Sequence, residues 1–153
     1  MKILCLLVSS SIILQIQNYV EFKLPFNQSD FVELNKTFGS QKTANVFLCI
    51  SQYEYHGISY NVKKDAPALS IKSGIVELIG CSRTQGGFVV INHGNGIKVK
   101  YYHLKRIRLK EGEEIGQGVT IGVSSINGLA TVNSIGLELT KNGNRINTSL
   151  IFR

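Results

Sequence analysis

Three histidines, His56, His93 and His103, are the only imidazoles this 153-residue chain can bring to acid-base or metal chemistry. A histidine metal centre needs further nitrogen, sulfur or carboxylate ligands at matched spacing. The cysteines Cys5, Cys49 and Cys81 are scattered and fit no metal-binding pattern. A serine nucleophile needs a base, an orienting acid and oxyanion donors. The run Asn133-Ser134-Ile135-Gly136 carries no nucleophile-elbow glycines around Ser134 and reads as a strand entry. His103 is the best-placed chemical residue, because it ends a patterned run, Ile97-Lys98-Val99-Lys100-Tyr101-Tyr102-His103.

That run is the second arm of a β-hairpin spanning residues 86–104, GGFVVINHGNGIKVKYYHL. Glycines on both sides of Asn95 supply the positive φ angles of a tight reversal, and β-branched and aromatic residues fill both arms. Side chains alternate along a strand, which predicts Val99, Tyr101 and His103 on one face and Lys98, Lys100 and Tyr102 on the other. Further strands are predicted at 46–50, 69–79, 88–92, 119–123 and 135–140, separated by Gly-, Asn- and Lys-rich turns. Helix signals are almost absent, so the fold class is all-β. At this length the chain is one domain's worth, without internal repeats or low-complexity segments.

The net charge of +7 is unevenly placed. Lys98, Lys100, Lys105, Arg106, Arg108 and Lys110 fall within thirteen residues that contain no acid. Such a stripe suits an anionic polymer or another acidic partner, or it is a solvated face. No nucleic-acid-binding motif accompanies it, which argues against nucleic acid.

Residues 1–17 begin with Met1-Lys2 and an apolar run of about twelve residues, shorter than the roughly twenty of a membrane-spanning helix. They read as a signal peptide or short N-terminal anchor, and hence as export. Residues 18–29 are a lead-in to a domain over 30–153. In an exported chain Cys49 and Cys81 would either form one disulfide or serve as buried apolar fillers.

The hairpin resembles that of the lysostaphin/LytM-type peptidoglycan endopeptidases, whose arms read "H-G-x-G" and "T-x-Y-x-H-L". Leu34 to Lys42, with Phe38-Gly39, resembles the family's opening "S-x-FG-x-R". Residues 110–122 resemble its "G-x-x-V-x-x-G-Q-x-I-G" turn and strand, and Leu137-Glu138-Leu139-Thr140-Lys141-Asn142-Gly143 resembles "F-E-V-x-x-x-G". The resemblance implies a two-layer antiparallel β-sandwich, the duplicated hybrid motif, with a groove.

It also implies a site. Catalysis in that family uses zinc held by two histidines and an aspartate, from "H-x-G-x-D" and from the second histidine of "H-L-H-F-E". The first motif aligns with Tyr55-His56-Gly57-Ile58-Ser59, so Tyr55 and Ser59 stand at ligand positions. The second aligns with Ser134-Ile135-Gly136-Leu137-Glu138, putting Ser134 at a catalytic histidine and Gly136 at the last ligand. Only His103 of the catalytic set remains. His56 is one residue from the lost position, and an offset of one turns a strand side chain to the opposite face. The expectation is a degenerate domain without metal, a regulator or assembly component, whose groove, lined by Tyr55, Ser59, Tyr101, His103, Ser134 and Gly136, binds a peptide, peptidoglycan or an envelope or secreted partner protein. The alternatives are an atypical peptidoglycan metalloendopeptidase, with zinc as cofactor, and a secreted signalling ligand of the chemotaxin type.

Overall fold

The structure, a computed structural model, describes residues 22–36, 41–46, 49–54 and 56–148. The N-terminal segment 1–17 and Tyr55 therefore lie outside the described residues. After a single 3-10 turn at Gln28–Asp30 the described chain is strands: β1 Phe31–Lys36, β2 Gln41–Val46, β3 Cys49–Glu54, β4 Ile58–Val62, β5 Pro67–Leu69 and β6 Gly74–Ser82. Then follow β7 Gly86–Asn92, β8 Ile97–Lys105, β9 Glu114–Ile115, β10 Thr120–Ser124, β11 Ser134–Lys141 and β12 Asn144–Ile146. Ten of them form one antiparallel sheet whose main path runs β1-β4-β11-β8-β7-β6-β9, while β2 and β3 pair separately. The fold is all-β, as the sequence predicts.

The predicted hairpin is β7–β8. Gly94, Asn95 and Gly96 all have positive φ (78°, 51° and 73°), and the reversal is closed by His93 N–H to Ile97 O at 2.9 Å. On its inner face two rows cross the three central strands, Val89–Tyr101–Leu137 and Ile91–Val99–Leu139. All six residues are buried. Each such aliphatic side chain removed from water contributes about 1.5–3 kcal/mol. β5 and β10 add Ala68 and Ile121 to the same core.

Alternation fails at His103. Phe88 pairs with Tyr102 and Gly87 with Leu104, so His103 has no partner on β7 and its φ is +62°. This is a β-bulge: the extra residue leaves the ladder and the strand resumes its alternation one place later. Leu104 returns to the core, and the His103 ring lies beside Tyr102, with centroids 4.8 Å apart. His103 therefore does not share the face of Val99 and Tyr101. Gly87 permits the irregularity, since a Cβ there would lie 2.4 Å from Leu104 O.

Other expectations shift in detail. The run 46–50 straddles the reversal between β2 and β3, and 69–79 is broken by a loop at 70–73 in which Ser70 Oγ donates to Lys72 O at 2.6 Å. Strands β1, β4, β9 and β12 lie outside every run that the sequence marks as a strand. His56 precedes β4 instead of lying within a strand, so the face argument does not apply to it. Cys81 is a free, exposed cysteine, neither bridged nor a buried filler, because its place on β6 points away from the core.

Candidate functional site

The sheet's other face carries the aligned site positions. Gly136 on β11 pairs with Ser59 on β4 and with Tyr102 on β8, and Phe88 on β7 faces Tyr102. Paired residues in neighbouring strands project to the same side, so Ser59, Gly136 and Tyr102 form one row. Ser134 pairs with Asn61 and belongs to the adjoining row. The sheet thus brings Ser59, Ser134 and Gly136 together, with His103 reaching the same face through its bulge. Tyr101 points into the core and has no part in this face.

Tyr102 occupies the centre of the site. A Cβ built on Gly136 would stand 2.2 Å from Cε2 and Cζ of the Tyr102 ring, far inside van der Waals contact. The ring covers the glycine and reaches the segment before β4: a Cβ on Gly57 would lie 3.1 Å from the Tyr102 hydroxyl. Ser59, Ser134 and Tyr102 are each 1 % exposed and His103 is 5 % exposed, so this part of the face is packed shut. A groove lined by these side chains is not open at this point.

Could zinc fit? A tetrahedral site needs three protein ligands and an open fourth position. Ser59 offers a neutral hydroxyl, Gly136 offers no side chain, and the tyrosine ring fills the volume that an imidazole from Gly136 would need. Among the described residues no three His, Cys, Asp or Glu side chains are grouped closely enough to hold a metal ion. The described residues at these positions do not fit zinc.

Several other polar groups here have structural partners. His103 Nδ1 lies 2.8 Å from Asn127 O, which makes Nδ1–H the donor. Asn127 in turn donates from Nδ2 to Leu104 O at 3.2 Å, tying the loop after β10 to the bulge. Glu138 accepts from Gln85 Nε2 at 2.8 Å. His93 is buried at the far end of the hairpin. Its Nδ1–H donates to Ser73 O (3.0 Å) and its Nε2 accepts the Tyr101 hydroxyl (3.3 Å). Burial lowers the His93 pKa, the Ser73 carbonyl opposing, while burial pushes the Tyr101 phenol far above its ordinary range.

The basic stripe separates in space. Lys98 pairs with Glu77 and Lys105 with Asp65, each at 2.6 Å. A hydrogen bond from Lys105 holds the Asp65 carboxyl below its usual value. Lys100 Nζ sits 4.2 Å from the Phe88 ring centroid, a cation–π contact. Lys110 is exposed. Arg106 and Arg108 are exposed beside a cleft of about 370 Å³.

Sequence reasoning missed Tyr102, Phe88, Gln85 and Asn127. A tyrosine at the variable place of the "Y-x-H" motif was visible, but only the β8–β11 register shows that it faces Gly136.

A sequence profile described as "Peptidase family M23" matches residues 53–148. The peptidoglycan DD-endopeptidase ShyC of Vibrio cholerae serotype O1 is 31% identical over 130 residues, covering 83% of this chain and 29% of that protein. The chain thus spans less than a third of the length of that relative. Among solved structures, a zinc containing peptidase from Vibrio cholerae superposes with a TM-score of 0.72 at 20% identity, covering 83% of this chain and 39% of that one. The complex of SpoIIIAH and SpoIIQ gives a TM-score of 0.72 at 24% identity, over 86% of this chain and 99% of that one. At these identities the structural likenesses speak for the fold alone.

Proposed function

The chain belongs to peptidase family M23, and from that premise we propose that it is a non-catalytic member acting in the cell envelope by binding peptidoglycan or a partner protein. One observation carries the reading: the Tyr102 ring stands where a side chain from residue 136 would have to stand to hold zinc. Side-chain chemistry agrees, since Ser59 and Gly136 supply neither the carboxylate nor the imidazole of the family's ligand set. An envelope location is supported by the relative named as a peptidoglycan endopeptidase, and a binding role by a neighbour of this fold solved in complex with another protein.

Purified protein, expressed with ample zinc, should contain well below one zinc per chain and should release no soluble fragments from peptidoglycan. Stoichiometric zinc with chelator-sensitive hydrolysis would establish the endopeptidase reading in its place.

A further inference from the structure

With the former metal site packed shut, a partner must be met elsewhere, and the basic stripe offers one open place. The ladder between β8 and β10 consists of Val123 opposite Lys105 and Ser124 opposite Leu104. Before Val123, β10 continues along β5 on its other side, with Thr120 opposite Leu69 and Gly122 opposite Ala68. Residues 106–109 leave β8 without joining this ladder, helped by a left-handed turn at Arg106 (φ +53°). The cleft of about 370 Å³ opens between the two segments, lined by Arg106, Arg108, Leu109 and residues 120–123.

Its chemistry is two-sided. Arg106 and Arg108 are two residues apart, exposed, and carry no ion pair among the described residues, whereas Lys98 and Lys105 are already neutralised by Glu77 and Asp65. Asp65 feels Arg106 as well, but its main partner is Lys105. Arg108 therefore presents the stronger open positive charge. Guanidinium groups bind carboxylates through paired, planar hydrogen bonds. Next to them Leu109 and Val123 are half-buried. A purely ionic polymer would leave that apolar floor uncovered.

We propose that this cleft receives an extended acidic segment of a partner protein, with carboxylates on Arg106 and Arg108 and an aliphatic side chain on Leu109 and Val123. The arginines supply the preference for acids, and the half-buried aliphatic side chains beside them supply the apolar part of the recognition. The proposal rests on the binding reading above and gives it a surface and a partner chemistry.

The test uses three probes on the full chain, read by backbone amide shifts: acetyl-Leu-Glu-Val-Glu-amide, its neutral counterpart acetyl-Leu-Gln-Val-Gln-amide, and sodium polyphosphate. The acidic peptide should shift amides of residues 106–109 and 120–123 and bind at least about tenfold more tightly than the neutral one, the scale of two charge-assisted contacts. Arg106→Asn with Arg108→Gln should abolish that preference; asparagine tolerates the left-handed backbone at 106. Lys98→Gln with Lys100→Gln should leave it intact. Equal affinity for the two peptides, indifference to the arginine substitutions, a response to polyphosphate alone, or no acidic-peptide shift at about 1 mM would each overturn the proposal. Zinc content is measured on the same sample. A zinc-free chain that ignores the acidic peptide sinks the cleft and leaves the non-catalytic reading standing, while a zinc-loaded hydrolase sinks the latter whatever the cleft does.

Discussion

Tyr101 and Tyr102 follow one another on β8 and both are removed from solvent, but the two faces of the sheet bury them in different ways. Tyr101 enters the core with its hydroxyl engaged as both acceptor and donor: it accepts from Ile71 N–H at 3.1 Å and donates to His93 Nε2 at 3.3 Å. Tyr102 lies on the face where the family's chemistry would sit, and its ring fills the space left open by a glycine on the next strand. The inner face is a scaffold of interlocked rows, while on the outer face a small–large pair closes the region that aligns with the family's site. Chemistry can be lost from the second without loss of the first, because the packing that holds the hairpin is contributed from the opposite side.

The largest expected effect tests whether Tyr102 closes the site. The four substitutions that restore the family's side chains, Tyr55→His, Ser59→Asp, Ser134→His and Gly136→His, should give little zinc uptake by themselves, since the new imidazole at 136 meets the tyrosine ring. Adding Tyr102→Ala should raise uptake toward one zinc per chain, measured by metal analysis after dialysis, because only then is there room for ligands placed within a few tenths of an ångström. Equal zinc in the four- and five-substitution proteins would break the comparison on its outer side.

How much of this was legible in the sequence follows the same division. The hairpin turn could be read because glycines flank Asn95, and the core face because Val99, Tyr101, Ile91 and Val89 alternate as a regular strand demands. The face of His103 is not legible in the sequence, because a bulge depends on how two strands pair, and the signal, Gly86-Gly87 opposite the end of β8, has no meaning until the register is known. The face of Tyr102 follows from alternation, but its pairing is hidden for the same reason: its partner Gly136 is 34 positions away. The stripe of cations is legible as composition, but Glu77 and Asp65, which neutralise two of its members, come from β6 and from the turn between β4 and β5.

A smaller effect is expected from the inner face. Tyr101→Phe keeps the ring and removes a hydroxyl, leaving Ile71 N–H and His93 Nε2 without their partner. Such a loss from a buried site costs about 1–3 kcal/mol, measurable by urea unfolding. A change below a few tenths would mean that the network is dispensable.

On the outer face, Gly136→Ala should destabilise by about 1–3 kcal/mol, the scale of overpacking, although alanine usually suits a strand better than glycine. The Tyr102→Ala background should remove most of that penalty. Additive effects in the double-substitution cycle would mean that the ring and the glycine are not a matched pair.

The smallest effect is a pH dependence that separates the two histidines of the hairpin. Burial lowers the His93 pKa in the folded chain, whereas the unfolded chain titrates at about 6.5. Between the folded value and about 6.5 the unfolded state binds more protons, so stability rises with pH across that window. The contribution is complete above about pH 6.5 and is lost as pH falls through the folded value. Charging His93 would also turn Nε2 from an acceptor of the Tyr101 hydroxyl into a donor facing it. Among the described residues the charged side chain acting on His93 is Lys72, which lowers its pKa further. Unfolding free energies measured from pH 7.5 downward should therefore show a decline just below neutrality, before the ordinary carboxylates begin to titrate, and His93→Gln should flatten it. If the decline persists in His93→Gln and disappears in His103→Gln, the titrating histidine sits at the bulge, and the scaffold and the former site would not be separable in the way the two tyrosines suggest.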